Sequence, residues 1–169
     1  MTNRTEYIRE TRAKFDSYDS SVWRKDGIVH IGSRAVYVAG FDDQTGGYVV
    51  IHKGHKFDIK TGVNELKSAI LLSNNGYAVE LKDEPGRVPQ YDAIVNNIPT
   101  EIKVMSGFRN IHKRAEDASY QGAIRIVYYI DFDNNKEMFK RFSNVYKTIE
   151  KISEIWYIKN GKLFFFHKK

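Results

Sequence analysis

Between Val63 and Asp131 the hydrophobic pattern passes from helical to strand-like, back to helical and again to strand-like. That succession restricts the fold more than any other feature of the chain. Val63, Leu66, Ile70 and Leu71 fall at helical spacing and Asn75-Gly76 supplies a stop signal, which predicts a helix over 63–75. Three strand-like runs follow, "YAVELK", "YDAIV" and "TEIKVM". The connection "DEPGRVPQ" holds two of the chain's three prolines, and "NNIP" has the composition of a tight turn. Residues 109–122 return to helical composition, and "AIRIVYYID" has the apolar content of a buried strand. The order is α-β-β-β-α-β, which predicts an α/β fold.

Outside this span, residues 2–18 read as a short polar helix. "IVHIGSRAVYVAG" and "GGYVVIHKG" read as β-runs joined by a turn-rich hairpin connection, "FDDQTG". Residues 135–150 are helical again, and Asn160-Gly161 between two aromatic-rich runs signals a closing hairpin. With 169 residues, no internal repeat and no linker composition, one domain is expected. It divides into an extension over 1–45, a core over 46–131, and a C-terminal helix and hairpin over 132–169.

Cysteine is absent, which excludes disulfides and thiolate metal sites. No apolar run approaches the ~20 residues of a membrane helix, so no membrane partner is expected. The N-terminal charges alternate where a signal peptide would be apolar, so the segment is not expected to direct its own export. With 27 Lys and Arg against 21 Asp and Glu, the net charge is +6, which raises the odds of a polyanionic partner such as nucleic acid.

The stretch "YDAIVNNIPTEIKV" concentrates the chemistry. On a strand Glu101 and Lys103 point to one face while Ile102 and Val104 point to the other, and a neighbouring strand could bring Asp92 beside them. Such charges ordinarily form the wet face of a sheet, and spacing alone favours that reading. The competing reading is a metal site. Two carboxylates close together in an apolar setting repel unless a cation lies between them, and hard oxygen ligands suit Mg²⁺ or Mn²⁺, with Zn²⁺ a further candidate. Lys103 beside them would orient a water or offset charge on a phosphate.

Taken with the order of elements, Asp92, Glu101 and Lys103 resemble the acid, gap, acid-x-lysine motif of the PD-(D/E)xK nuclease superfamily. Pro89 in "VPQYDAIV" stands as a displaced relic of its proline, and Tyr-Asp replaces the usual Pro-Asp. The resemblance covers roughly Gly46 to Asp131. It implies a restriction-endonuclease-like core, a mixed central sheet flanked by helices, with extra hairpins at both ends. It also implies a helical acid ahead of the strands, where Glu65 stands, with Asp92 and Glu101 binding the divalent ion. "GGYVVIHKGHKF", "NELKSAILLSNNGYAVEL" and "AEDASYQGAIRIVYYID" extend the likeness to CdiA-type contact-dependent inhibition toxin C-terminal nuclease domains, which cleave tRNA, and to phage and mobile-element nucleases. That pattern implies Gln121 in the active site, with Lys113 or Arg114 holding phosphate. The expectation is therefore metal-dependent phosphodiester hydrolysis, of tRNA or other RNA, or else of DNA. For a toxin, the resemblance further implies a cognate immunity protein, delivery from another cell within a larger secreted protein, and a cytoplasmic site of action.

Two other readings stay open. "IHKGHKF" clusters His52, Lys53, His55 and Lys56, and two imidazoles could cleave RNA without metal, one as base and one as acid. As zinc ligands His52 and His55 are too few, and contact with substrate by one of His52, Lys53 and His55 is the favoured use. The third reading is a non-catalytic binding module. Most aromatics, 14% of the chain, belong to the core, with Tyr91 and Phe108 the candidates for base stacking. Lys136, Lys140, Arg141 and Lys147 form a basic stripe that a solvated helix face explains equally well.

Overall fold

A computed structural model describes residues 3–83 and 90–168, which group into two compact units. Pro89 lies outside the described residues. The first unit holds residues 3–83 with 93–97, and the second holds 90–92 with 98–168.

In the first unit, helix α1 (Arg4–Ser17) begins at Asn3, whose side chain accepts the Thr5 N–H at 2.8 Å. Strands β1 (Trp23–Arg24), β2 (Gly27–Ile31), β3 (Arg34–Val38) and β4 (Tyr48–His52) follow, then helix α2 (Gly62–Asn74) and strands β5 (Ala78–Leu81) and β6 (Ala93–Val95). The strand order β1-β4-β5-β6 is mixed: β4 and β5 run parallel, and the other neighbours are antiparallel. Leu66, Ala69 and Leu72 recur at helical spacing and are fully buried where α2 packs on β4 and β5. Phe15 of α1 clusters with Tyr48, Val50 and Ala78.

One expectation is corrected here. "FDDQTG" does not join two paired strands: the hairpin closes earlier, at Ile31↔Arg34, and β2 and β3 make a sheet of their own while β4 pairs with β1 and β5. The segment is instead a local turn in which Asp42 accepts the N–H groups of Gln44 at 2.9 Å and Thr45 at 3.3 Å. Alternation marks a strand without naming its partner, and an aspartate that bonds its own backbone imitates a hairpin turn in composition.

In the second unit, β7 (Ile98–Met105), α3 (Ile111–Tyr120), β8 (Arg125–Ile130), α4 (Asn135–Thr148) and β9 (Glu154–Lys159) form two successive βαβ crossovers. Strand β10 (Lys162–Phe166) turns back antiparallel on β9 through Asn160 and Gly161, both at positive φ, as a two-residue hairpin requires. Met138, Phe142, Val145 and Tyr146 give α4 an apolar stripe, and Asn134 accepts the Glu137 N–H at its start. This stripe packs with Ile111, Ala115 and Ala118 of α3 over Ile126, Tyr128 and Ile130 of β8. The chain therefore contains the order α2-β5-β6-β7-α3-β8, with mixed pairing and four helices in all. No described helix is long and apolar enough to cross a membrane.

Close approach fixes one glycine. A Cβ on Gly47 would lie 1.8 Å from the Ser73 carbonyl oxygen at the end of α2. Gly47→Ala should therefore lower stability by on the order of 3 kcal/mol, as overpacking against backbone does. Urea unfolding measures it; a loss within experimental error would show that α2 and β4 are not held this close.

Candidate active site

The register decides which face carries the charges. Glu101, Lys103 and Met105 pair with Ile126, Tyr128 and Ile130, so they share the face that α3 and α4 cover. The question raised by the sequence thus has an answer in the second unit. Glu101 is not on a wet face: it is fully buried, and Lys103 is only 21% exposed.

Three side chains meet there. Glu101 Oε1 accepts the backbone N–H of Asp92 at 2.5 Å, and the Asp92 side chain also acts on the Glu101 carboxyl. Glu101 Oε2 faces the Lys103 ammonium at 2.9 Å, close enough for an ion pair but without an aligned hydrogen bond. Burial pushes the Glu101 carboxyl above its ordinary range, because lost hydration outweighs the help of Lys103 and Asp92. For Lys103 burial pulls the other way, yet Glu101 and then Asp92 outweigh it and the ammonium is held more firmly protonated. Arg114, on α3, opposes them as a like charge acting on Lys103.

Two carboxyl groups this close in an apolar setting repel unless a cation or a proton lies between them, and a divalent cation answers both charges. Asp92 and Glu101 are thus chemically suited to Mg²⁺ or Mn²⁺, although among the described residues no three His, Asp or Glu side chains gather around one point. Gln121 caps the end of α3, where its Oε1 is buried with no hydrogen-bond partner among the described residues. A Cβ on the adjacent Gly122 would meet the Tyr91 ring at 3.6 Å, so this helix end lies beside the residue preceding Asp92. Lys113 and Arg114 are exposed and reach Asp117 at 3.2 Å and 3.8 Å.

The remaining predicted residues belong to the first unit. Glu65 Oε1 lies 3.0 Å from His55 Nε2, and His55 Nδ1 lies 2.5 Å from the Lys82 carbonyl oxygen. The His55 side chain has no exposed surface, so as placed it reaches no substrate. His52 Nδ1 accepts the Gly54 N–H at 3.0 Å, its ring stands edge-on to Trp23, and Asp83 is 3.7 Å away. Lys53 is exposed. The sequence thus anticipates a histidine cluster, and the fold pairs one histidine with Glu65 and the other with Trp23 and Asp83.

A residue not anticipated is Arg109. With Phe108, Asn110 and Arg114 it lines an open cavity of about 320 Å³ between the end of β7 and the start of α3. Its only sequence signal is a basic residue after Gly107-Phe108, in the loop that leaves the Glu-x-Lys strand.

No family model matches the chain, and no curated protein matches it. Among solved structures it is similar to a chain of the CdiA-CT/CdiI toxin and immunity complex from Burkholderia pseudomallei, with a TM-score of 0.52 and 21% identity over 64% of this chain and 85% of that one. At that identity the likeness is one of fold, a mixed α/β arrangement.

The raised Glu101 group has a pH consequence. A carboxyl whose folded value lies above its unfolded value near 4.5 contributes stability that is complete below that value and is lost as pH rises through the folded one. In the absence of divalent ions, melting of wild type and Glu101→Gln from about pH 4 to about pH 8 should show wild type losing ground to the variant as pH rises. Parallel curves would mean that Glu101 ionises at no cost.

Proposed function

We propose that this protein is a metal-dependent nuclease of the PD-(D/E)xK type, hydrolysing phosphodiester bonds in RNA, with tRNA the first candidate and DNA the second. The observation that carries the reading is the enclosed cluster of Asp92, Glu101 and Lys103. Their chemistry is that of phosphoryl transfer. The element order and the net charge of +6 support it, since the substrate would be a polyanion.

In this reading Asp92 and Glu101 hold a Mg²⁺ or Mn²⁺ ion. When bound, such an ion supplies Lewis acidity and a lowered pKa for a coordinated water. Lys103, held protonated by the two carboxyl groups, offsets negative charge on the phosphate as it builds toward the transition state. Arg114 and Lys113 bind phosphate oxygens, Arg114 as a planar two-point donor. The orphaned Gln121 Oε1 accepts a hydrogen bond from a substrate hydroxyl or a water and so fixes its orientation. Glu65, expected to support the ion, has its carboxylate on His55; its part in this reading is to hold that histidine.

The metal-free alternative would need His55 as acid or base, and the enclosure of its ring argues against it. The fold likeness to a chain of a toxin and immunity complex supports a toxin-type role: delivery from another cell, action in the cytoplasm and neutralisation by an immunity protein.

The test incubates the protein with total tRNA, plasmid and linear DNA in Mg²⁺, Mn²⁺, Zn²⁺ or EDTA. Cleavage should require a divalent ion, and Asp92→Ala or Glu101→Gln should each reduce it by on the order of 100-fold or more with the circular dichroism spectrum retained. Wild-type cleavage in EDTA that yields 2′,3′-cyclic phosphate ends would transfer catalysis to the histidines. An absence of cleavage under every condition would leave the binding module.

A further inference from the structure

The cavity beside the carboxylate cluster has a chemistry that the cluster does not use. Its floor is the end of β7, Val104 and Met105, immediately after Lys103; its wall is the loop Ser106–Asn110 and the first turn of α3. Among the described residues Arg109 and Arg114 are its charged groups, and no carboxylate lines it. Arg109 makes no ion pair or hydrogen bond among the described residues, and Arg114 has only the 3.8 Å contact with Asp117. Two guanidinium groups with so little acidic compensation form a receptor for an anion.

The cavity also has an aromatic wall. Phe108 is half-buried, braced edge-on by Phe132 at 6.4 Å, and Arg141 lies 5.4 Å from its ring. A ring held in this way is rigid, which keeps the entropic cost of stacking low. At about 320 Å³ the space is at the lower end of the range for small-molecule sites, a size suited to a single nucleotide unit. Asn110, the residue before α3, makes no capping bond with its side chain, so its amide is left to bond the ligand.

We infer that this cavity is a nucleotide subsite, in which Arg109 and Arg114 take the phosphate of the unit next to the scissile bond and Phe108 stacks its base. The cavity floor at Val104 adjoins Lys103 in the chain, so the bound nucleotide is anchored one step from the cluster. The inference rests on the nuclease reading for the word scissile, while the binding itself does not. A π-face accepts any base, so the subsite fixes position along a strand with little sequence preference.

The test measures binding in EDTA, where no cleavage is expected. Intact protein is titrated with adenosine 5′-monophosphate, adenosine and inorganic phosphate by NMR shift changes, and with a fluorescein-labelled six-nucleotide single strand by anisotropy. Wild type should bind the monophosphate better than either part alone. Arg109→Ala should weaken the monophosphate and the strand about tenfold and lower the slope of log K against log salt by about 0.7, the value for one lost phosphate contact on a single strand. Phe108→Leu, which keeps the apolar packing against Phe132, should weaken the monophosphate and the strand about tenfold and leave phosphate binding unchanged. Unchanged affinities in both variants, or equal binding of phosphate and monophosphate by wild type, would overturn the subsite. A protein that binds as described but cleaves nothing in Mg²⁺ or Mn²⁺ would overturn the nuclease reading alone.

Discussion

The burial of Glu101 is the constraint around which the second unit is arranged. A carboxylate taken out of water costs several kcal/mol unless its charge is answered on the spot. Here it is answered from two elements: the Asp92 backbone N–H at 2.5 Å and the Lys103 ammonium at 2.9 Å. Neither fully satisfies it, since burial still pushes the group upward and Oε2 lacks an aligned donor. A site that is costly for a lone anion is a favourable place for a cation, and the proposed chemistry depends on that difference.

The crossovers of this unit explain why the charges are enclosed. Parallel pairing of β7 and β8 requires a helix between them, and α3 must lie on the sheet to bury Ile111, Ala115 and Ala118. The same helix covers the face that holds Glu101 and carries Arg114 to the cavity at the end of β7. Its small residues keep it close to the sheet, and the loop that leads into it forms the wall of the cavity. Functional groups at the carboxyl end of a parallel strand are the usual outcome of this geometry.

Buried polar groups also organise the first unit, with a different result. His55 lies between two acceptors, the Glu65 carboxylate and the Lys82 carbonyl, so its ring ties the start of α2 to the end of β5. Glu80, buried on β5, is met by Lys14 at 3.3 Å and by the Tyr18 hydroxyl, which ties α1 to the same strand. These contacts join elements in place of opening a site. A histidine and a glutamate ten residues apart look equally catalytic in a sequence; the fold pairs them with each other at 3.0 Å.

What the sequence determined by itself was local. The helical spacing of Leu66 and Ile70, the hairpin signal of Asn160-Gly161 and the shared face of Glu101 and Lys103 all follow from periods of 3.6 and 2, which adjacent residues carry. The tertiary structure decided everything that depends on a partner distant in the chain. It settled that β4 pairs with β1 and β5 and not with β3, and that α3 covers the face holding Glu101. It also settled that His55 belongs to Glu65, and that Arg109 joins Arg114 around one cavity. Periodicity fixes the direction in which a side chain points. Whether water, a helix or another charge meets it there depends on the packing of elements remote in sequence, and that packing turned an apparently wet strand position into the buried Glu101.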